Sequence, residues 1–478
     1  MSAVLSGTAD GARTAHSGAS RRVAVVGGGL AGITAGLALA DAGCAVTVLE
    51  AKPRLGGLTA SFSRSSAAGE LAVDTGQHVF LRCCTAYLEL VDRLGVREQV
   101  HLQPRLDIPV RTPGSDRTWR LRRSGAPAPF HLSTSLARYS VLRPVDRLRA
   151  VAGALALRRV DRNDPATDAQ SFGAWLARHG QNAATTAAMW DLVGIATLNA
   201  RAEDASLALA ATVFQDGLLT DAAAADIGWA LVPLGELHGA AGERALTAAG
   251  ATVRTGAKVT GLTRTPGGWT VALRGEQPLT VDAVVLAAPP PVTEELLPEG
   301  ALDLAAGWSG RLGAVPIVNV HVVFDRPVLD EPFLATVDSP VQWVFDRTRQ
   351  SGLADGQYLA LSLSAAGDLV DRPAAALVDE LLPALRALLP AAAGAQVRDA
   401  FVTRERTATF APTPGNAAVR PGPRTRAQGL VVAGAWTATG WPATMEGAVR
   451  SGGAAAHALL AQLPAQPASR PARGGTAA

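Results

Sequence analysis

An apolar run, Val23-Ala24-Val25-Val26, breaks directly into Gly27-Gly28-Gly29-Leu30-Ala31-Gly32, and an Ala- and Leu-rich helical stretch then runs to Ala42. A second apolar run, Ala45 to Leu49, ends in Glu50. Strand, glycine turn, helix and strand in this order constrain the chain to a Rossmann-like α/β layer. Gly27 permits the tight turn, Gly29 lets backbone approach a pyrophosphate, and Gly32 lets helix pack closely on strand. Unpaired N–H groups and the positive end of the helix favour phosphate. Glu50 is placed to accept from ribose hydroxyls and disfavours a 2′-phosphate. An adenine dinucleotide is the expected ligand.

Composition permits this. The chain's 478 residues suffice for two or three domain-sized cores, and 48% hydrophobic against 18% charged residues marks a globular protein. A net charge of +3, without blocks of like charge or basic–aromatic interleaving, argues against nucleic acid as a partner. Cys44, Cys83 and Cys84 make neither a disulfide framework nor metal-ligand spacing, so a reducing, cytoplasmic compartment and no metal are expected. Residues 1–21 and 464–478 read as disordered tails. Arg21-Arg22 superficially resembles a twin-arginine export signal, but the apolar run behind it is the fingerprint strand. No uninterrupted apolar window is long enough for a transmembrane helix.

The order of segments implies an α/β nucleotide-binding domain in three pieces, 22–105, 240–295 and 405–463, with an α+β substrate domain inserted as 106–239 and 296–404. Residues 106–239 carry helical periodicity, as at Pro144–Arg159 and Thr167–His179; Ala240–Gly250 and Pro373–Leu389 also read as helices. Strands are expected at Trp269–Leu273, Val281–Ala288, 314–325, 341–346 and Gly429–Ala433, with a final helix from about Pro442 to Leu463.

Gly27-x-Gly29-x-x-Gly32, Glu50 and Leu55-Gly56-Gly57 together resemble the flavin-binding signature of the glutathione-reductase-type FAD superfamily, in its amine oxidase and carotenoid desaturase branch. The resemblance spans nearly the whole folded chain. It implies FAD, held along Leu30, Ala31, Ala51 and Arg54 as well as the glycines. It also puts the Lys258-Val259 backbone at the adenine, and Gly434, Ala435, Met445 and Glu446 near the flavin. Asp74-Thr75-Gly76-Gln77-His78 stands where this branch passes the ring, adding Gly76, Gln77 and His78 to the cofactor contacts. Two positions depart from the pattern: Ala435 replaces a common Asp, and Leu58 replaces an Arg that often follows the glycine pair. No cysteine lies near Ser451-Gly452-Gly453 to anchor the flavin covalently.

Trp190-Asp191-Leu192, Leu198-Asn199, Glu203–Ser206, Trp343–Arg347 and Thr409–Gly415 are similar to the hydroxysqualene dehydroxylase family of hopanoid-making bacteria. That resemblance implies reductive loss of hydroxyl from an allylic triterpene alcohol, with hydride from reduced flavin. Hydroxide leaves poorly, so a proton donor would accelerate the reaction by roughly 10²–10⁴-fold. Three candidates present themselves, each with a structural alternative. His78 lies in the flavin-side segment or simply ties the loop. Asp191 sits in an apolar run that would keep it protonated, or caps a helix. Glu446 begins the last helix, where a capping role is the simpler reading.

Trp190, Trp229, Trp343, Phe345 and Trp441 are candidate channel aromatics or ordinary core. Carotenoid desaturation is the alternative reaction, and a non-enzymatic FAD scaffold is another. Amine oxidation is disfavoured, because that chemistry commonly places a lysine near flavin N5. The only lysines are Lys52 and Lys258, both assigned to the adenine end. A membrane-borne isoprenoid substrate implies peripheral docking on the inner face of the cell membrane, with Arg-rich Leu136–Arg159 as the candidate anchor or a solvated helix face. The electron donor is left open.

Overall fold

The computed structural model describes residues 20–463; the expected tails fall outside this range except at Ser20 and Arg21. A five-stranded parallel sheet forms the nucleotide-binding layer, in the order Thr252–Thr255, Ala45–Glu50, Arg22–Val26, Ala283–Leu286, Leu430–Val432. Its central strand buries Val23, Ala24 and Val25 completely, as a parallel strand covered on both faces must. The helix Leu30–Asp41 is crossed by the last helix, Met445–Leu460. The crossing is tight because position 452 has no side chain: a Cβ on Gly452 would come within 2.2 Å of the Ala31 carbonyl oxygen.

The second large layer is a seven-stranded sheet in the order Val397–Thr409, Val315–Phe324, Gln357–Leu363, Trp343–Asp346, Phe333–Thr336, Asp107–Arg111, Trp119–Arg122. One face packs on the helix Ala374–Leu388 through Leu377, Leu381, Leu385 and Leu388, a buried stripe at helical spacing. The other face contributes to the candidate site.

Several elements differ from the sequence reading. Residues 106–239 are not only helical. Asp107–Arg111 and Trp119–Arg122 form one edge of the large sheet, and Ile227–Ala230 pairs with Val79–Leu81 and Val100–Leu102. Thr167–His179 is two helices, Pro165–Asp168 and Phe172–Arg178, because the Ser171 hydroxyl accepts the Ala174 N–H at 3.2 Å and starts the second. Val281–Ala288 splits at Asp282, where Leu279–Val281 pairs antiparallel and Ala283–Leu286 joins the parallel sheet.

Candidate active site

The glycine turn leaves a cleft of the right chemistry for a pyrophosphate. Gly29 is the N-cap of Leu30–Asp41, and no side chain caps its free N–H groups. A Cβ on Gly29 would meet only the Gly57 Cα, at 3.8 Å, whereas a Cβ on Gly32 would lie 1.9 Å from the Gly27 oxygen. Gly32 is therefore required by the turn itself, and Gly29 faces open space opposite Gly57. Glu50 accepts the N–H of Gly28 at 2.7 Å and of Lys52 at 2.8 Å, which fixes the carboxylate at the strand end with lone pairs to spare. Ala51 is exposed next to it. Ala257 N–H donates to the Glu50 carbonyl at 2.9 Å, bringing the Lys258-Val259 segment alongside. Arg54 Nε is buried without a partner among the described residues, as a group awaiting an anion would be.

The Gly29 geometry gives a clean test. Gly29→Leu should fold normally, since the added side chain meets no backbone closer than ordinary contact, yet lose at least about tenfold in FAD affinity by filling the cleft. Unchanged affinity by flavin fluorescence titration would place the cofactor elsewhere.

A cavity of about 180 Å³ lies between the 75–79 segment, the helix Asp191–Leu198, the start of the last helix and the large sheet. Leu58, Gly76, Gln77, His78 and Met445 line it on one side. The sheet contributes Ile317, Trp343, Phe345, Ser362 and Glu405. Trp343 and Phe345 stack with ring centroids 6.1 Å apart.

His78 Nδ1 lies 3.2 Å from the Gly76 carbonyl oxygen. A carbonyl only accepts, so Nδ1 carries the proton and Nε2 is the nitrogen free to exchange one. Burial pushes the His78 pKa below its usual 6.5, outweighing its bond to Gly76 and the nearby Asp74 charge. Gln77 Oε1 is buried without a partner. Behind the loop, Asp74 accepts the Ser61 hydroxyl at 2.6 Å and the Leu234 N–H at 2.9 Å, and forms a buried ion pair with Arg347. The two motif segments Asp74–His78 and Trp343–Arg347 are thus bolted together.

The other candidate acids sit elsewhere. Asp191 does not line the cavity; its carboxylate accepts the Ala202 N–H at 2.9 Å and ties down the following loop, although burial raises its pKa as expected. Glu446 is 1% exposed and accepts from Ala86 N–H at 3.2 Å, Tyr87 N–H at 2.7 Å and Arg450 at 2.7 Å. It caps the helix Thr85–Arg93 rather than its own, and both of its oxygens are engaged in that structural role. Among the proposed aromatics only Trp343 and Phe345 reach the cavity. Trp190 packs on Phe172 and Phe214 and donates to Gln181, Trp229 lies tilted against His101, and Trp441 lies under Arg450.

Three residues had no sequence signal. Glu405 places a carboxylate on the cavity wall from the strand Val397–Thr409. Asn319 is fully buried with neither amide atom hydrogen-bonded, in a cross-strand row with Thr403, Ser362 and Trp343 that underlies the cavity. Arg420 is buried and donates to the main-chain oxygens of Ala435, Trp436, Thr437 and Trp441 at 3.4, 3.2, 2.6 and 2.8 Å, with its guanidinium 4.3 Å over Phe410. Burial lowers its pKa to about 10, so it stays charged at neutral pH. It sets the loop that holds Gly434 and Ala435, in place of any side-chain contact from position 435.

Residues 30–460 match the family of flavin containing amine oxidoreductases. The chain belongs to that family. It is an oxidoreductase with FAD as its cofactor, and the cradle of Gly29, Gly57, Glu50 and Arg54 fits that group. The chain is 30% identical to a hydroxysqualene dehydroxylase of Rhodopseudomonas palustris over 459 residues, covering 92% of this chain and 99% of the relative. It is 27% identical to a zeta-carotene desaturase of Synechocystis over 487 residues, covering 92% and 97% respectively. A putrescine oxidase crystallised with putrescine superposes with a TM-score of 0.65 at 20% identity, covering 93% of this chain and 99% of the oxidase, a likeness of fold. No helix among the described residues is long and apolar enough to cross a membrane.

Proposed function

We propose that this protein reductively removes an allylic hydroxyl from a C30 polyprene, converting hydroxysqualene to squalene with release of water. The observation that carries the reading is the cavity's make-up: an aromatic and aliphatic wall of Ile317, Trp343 and Phe345 with His78 among the lining groups. Neither lysine lines it, which speaks against amine oxidation. FAD, bound non-covalently and reduced, supplies the hydride.

The chain's own residues do the rest. Residues 22–105, 240–295 and 405–463 hold the cofactor, while 106–239 and 296–404 shape the apolar side of the cavity. Trp343 and Phe345 orient the polyene and exclude water. His78, fixed through Nδ1 by Gly76, delivers a proton from Nε2 to the departing oxygen, and the Asp74–Arg347 pair keeps its loop in place. The substrate is a lipid-soluble C30 alcohol, so the protein works peripherally at a bilayer.

Anaerobic single-turnover kinetics test this. Photoreduced protein should be reoxidised by hydroxysqualene, and squalene should appear with one deuterium when the flavin carries deuteride. Because the His78 pKa lies below 6.5, its protonated share falls about tenfold per pH unit above that value, so the rate should fall likewise between pH 7 and 8. His78→Gln should flatten the profile while FAD stays bound. The zeta-carotene desaturase similarity supports a second reading, the opposite redox sense in the same cavity. Bleaching of the oxidised flavin by a polyene, without reoxidation by hydroxysqualene, would select it.

A further inference from the structure

The helix Pro144–Leu157 is packed inside out. Its buried residues are Asp146, Ala150, Gly153 and Leu157, while Val145, Leu148, Val151 and Leu155 point to solvent at 47, 71, 37 and 37% exposure. At 3.6 residues per turn these four make one continuous stripe, opposite the buried face. Gly153 is small for a reason: a Cβ there would meet the Gln181 amide at 2.8 Å and the Trp190 ring at 3.1 Å. The core contact therefore needs small residues, but nothing among the described residues calls for the large apolar ones outside.

Charge surrounds the stripe. Residues 136–160 contain six arginines and a single acid, whereas the whole chain carries only +3. That acid, Asp146, is buried and paired with Arg143 at 2.7 Å and Arg149 at 2.8 Å. Arg147 and Arg158 flank the stripe on one side and Arg149 on the other. An apolar ridge edged by arginine matches a lipid surface with anionic headgroups. It does not match a second copy of itself, since a two-fold pairing would set the same arginines against one another. The segment leading into the helix also reaches the cavity wall: Leu136, Tyr139 and Leu142 share a core cluster with Val79, Trp343 and Phe345.

We propose, on the strength of the polyprene reading above, that the outward face of Pro144–Leu157 seats the protein on an anionic bilayer, next to the route by which a lipid-dissolved substrate enters. Val145, Leu148, Val151 and Leu155 lie in the acyl boundary, and the arginines bind headgroup phosphates.

Vesicle flotation of the FAD-loaded full chain tests it. Wild type should float with phosphatidylcholine vesicles doped with phosphatidylglycerol, and bind about tenfold less to pure phosphatidylcholine, each arginine near the surface favouring anionic lipid. Leu148→Glu should bind the doped vesicles about tenfold less than wild type, the scale expected for withdrawing one leucine from an apolar phase. Equal binding by wild type and variant overturns the proposal. So does equal binding to both lipid mixtures, or a wild-type dimer that Leu148→Glu dissolves without any vesicle binding. Flotation needs no turnover, so it reads the surface even if hydroxysqualene is not the substrate. With detergent-dispersed hydroxysqualene, Leu148→Glu should reoxidise at the wild-type rate, and with vesicle-borne hydroxysqualene it should lag.

Discussion

Arg420→Met should cost about 3–5 kcal/mol of stability and most of the bound FAD, although the residue touches neither cavity nor cleft. The guanidinium gives hydrogen bonds to four main-chain oxygens of the 435–441 loop. Methionine fills the volume but leaves those oxygens buried and unmet, and each orphaned group costs about 1–3 kcal/mol, partly relieved by water. The loop should then loosen, carrying Gly434 and Ala435 away from the flavin side. Arg420→Lys should recover only part of the loss, because an ammonium lacks the planar fork that spans several carbonyls. Urea unfolding and flavin occupancy, measured on both variants, check this. A Met variant with wild-type stability would show the loop to be held by other contacts.

Acid should destabilise the protein through two buried histidines that do not line the cavity. His238 and His321 are fully buried, and desolvation pushes both pKa values down to about 3. Each ring is held by a hydroxyl: His238 Nε2 lies 2.9 Å from the Tyr87 hydroxyl, and His321 lies between the Tyr358 hydroxyl, 2.7 Å from Nδ1, and the Thr403 hydroxyl, 2.9 Å from Nε2. Unfolded, each titrates near 6.5, so below that pH the unfolded chain binds more protons and stability falls as pH falls. The loss begins near pH 6.5 and continues toward pH 3. At pH 5 it should amount to about 2 kcal/mol per histidine, or about 4 kcal/mol together. Unfolding midpoints at pH 7 and pH 5 measure it, and His238→Gln with His321→Gln should flatten the dependence. A wild-type midpoint unmoved between those pH values would mean that the histidines are hydrated.

The parallel layer was legible because its signal is local: Val23–Val26, the glycine turn and Glu50 are contiguous, and their roles follow from backbone geometry alone. His78 was legible through its segment. What escaped was decided across strands. Asn319 matters only because register sets it between Thr403 and Ser362, and Glu405 reaches the cavity because it pairs with Ile317. Asp191 and Glu446 were open to misreading for the same reason, since a sequence shows a buried acid but not which N–H groups it meets. The edge strand Trp119–Arg122 was hidden by its arginines, which suit an exposed sheet edge but break the apolar alternation.

The capping of Thr85–Arg93 by Glu446 has a consequence for how the protein comes into being. The helix waits on the ribosome for a carboxylate made 359 residues later, and the fifth strand of the parallel layer, Leu430–Val432, arrives just before it. At 5–20 residues per second the gap between Tyr87 and Glu446 is on the order of 20–70 s. Throughout that interval the fingerprint exists but its far wall does not. Flavin loading therefore belongs after the helix Met445–Leu460 has been made, and until then the nascent protein carries a greasy, half-built nucleotide layer in need of shelter.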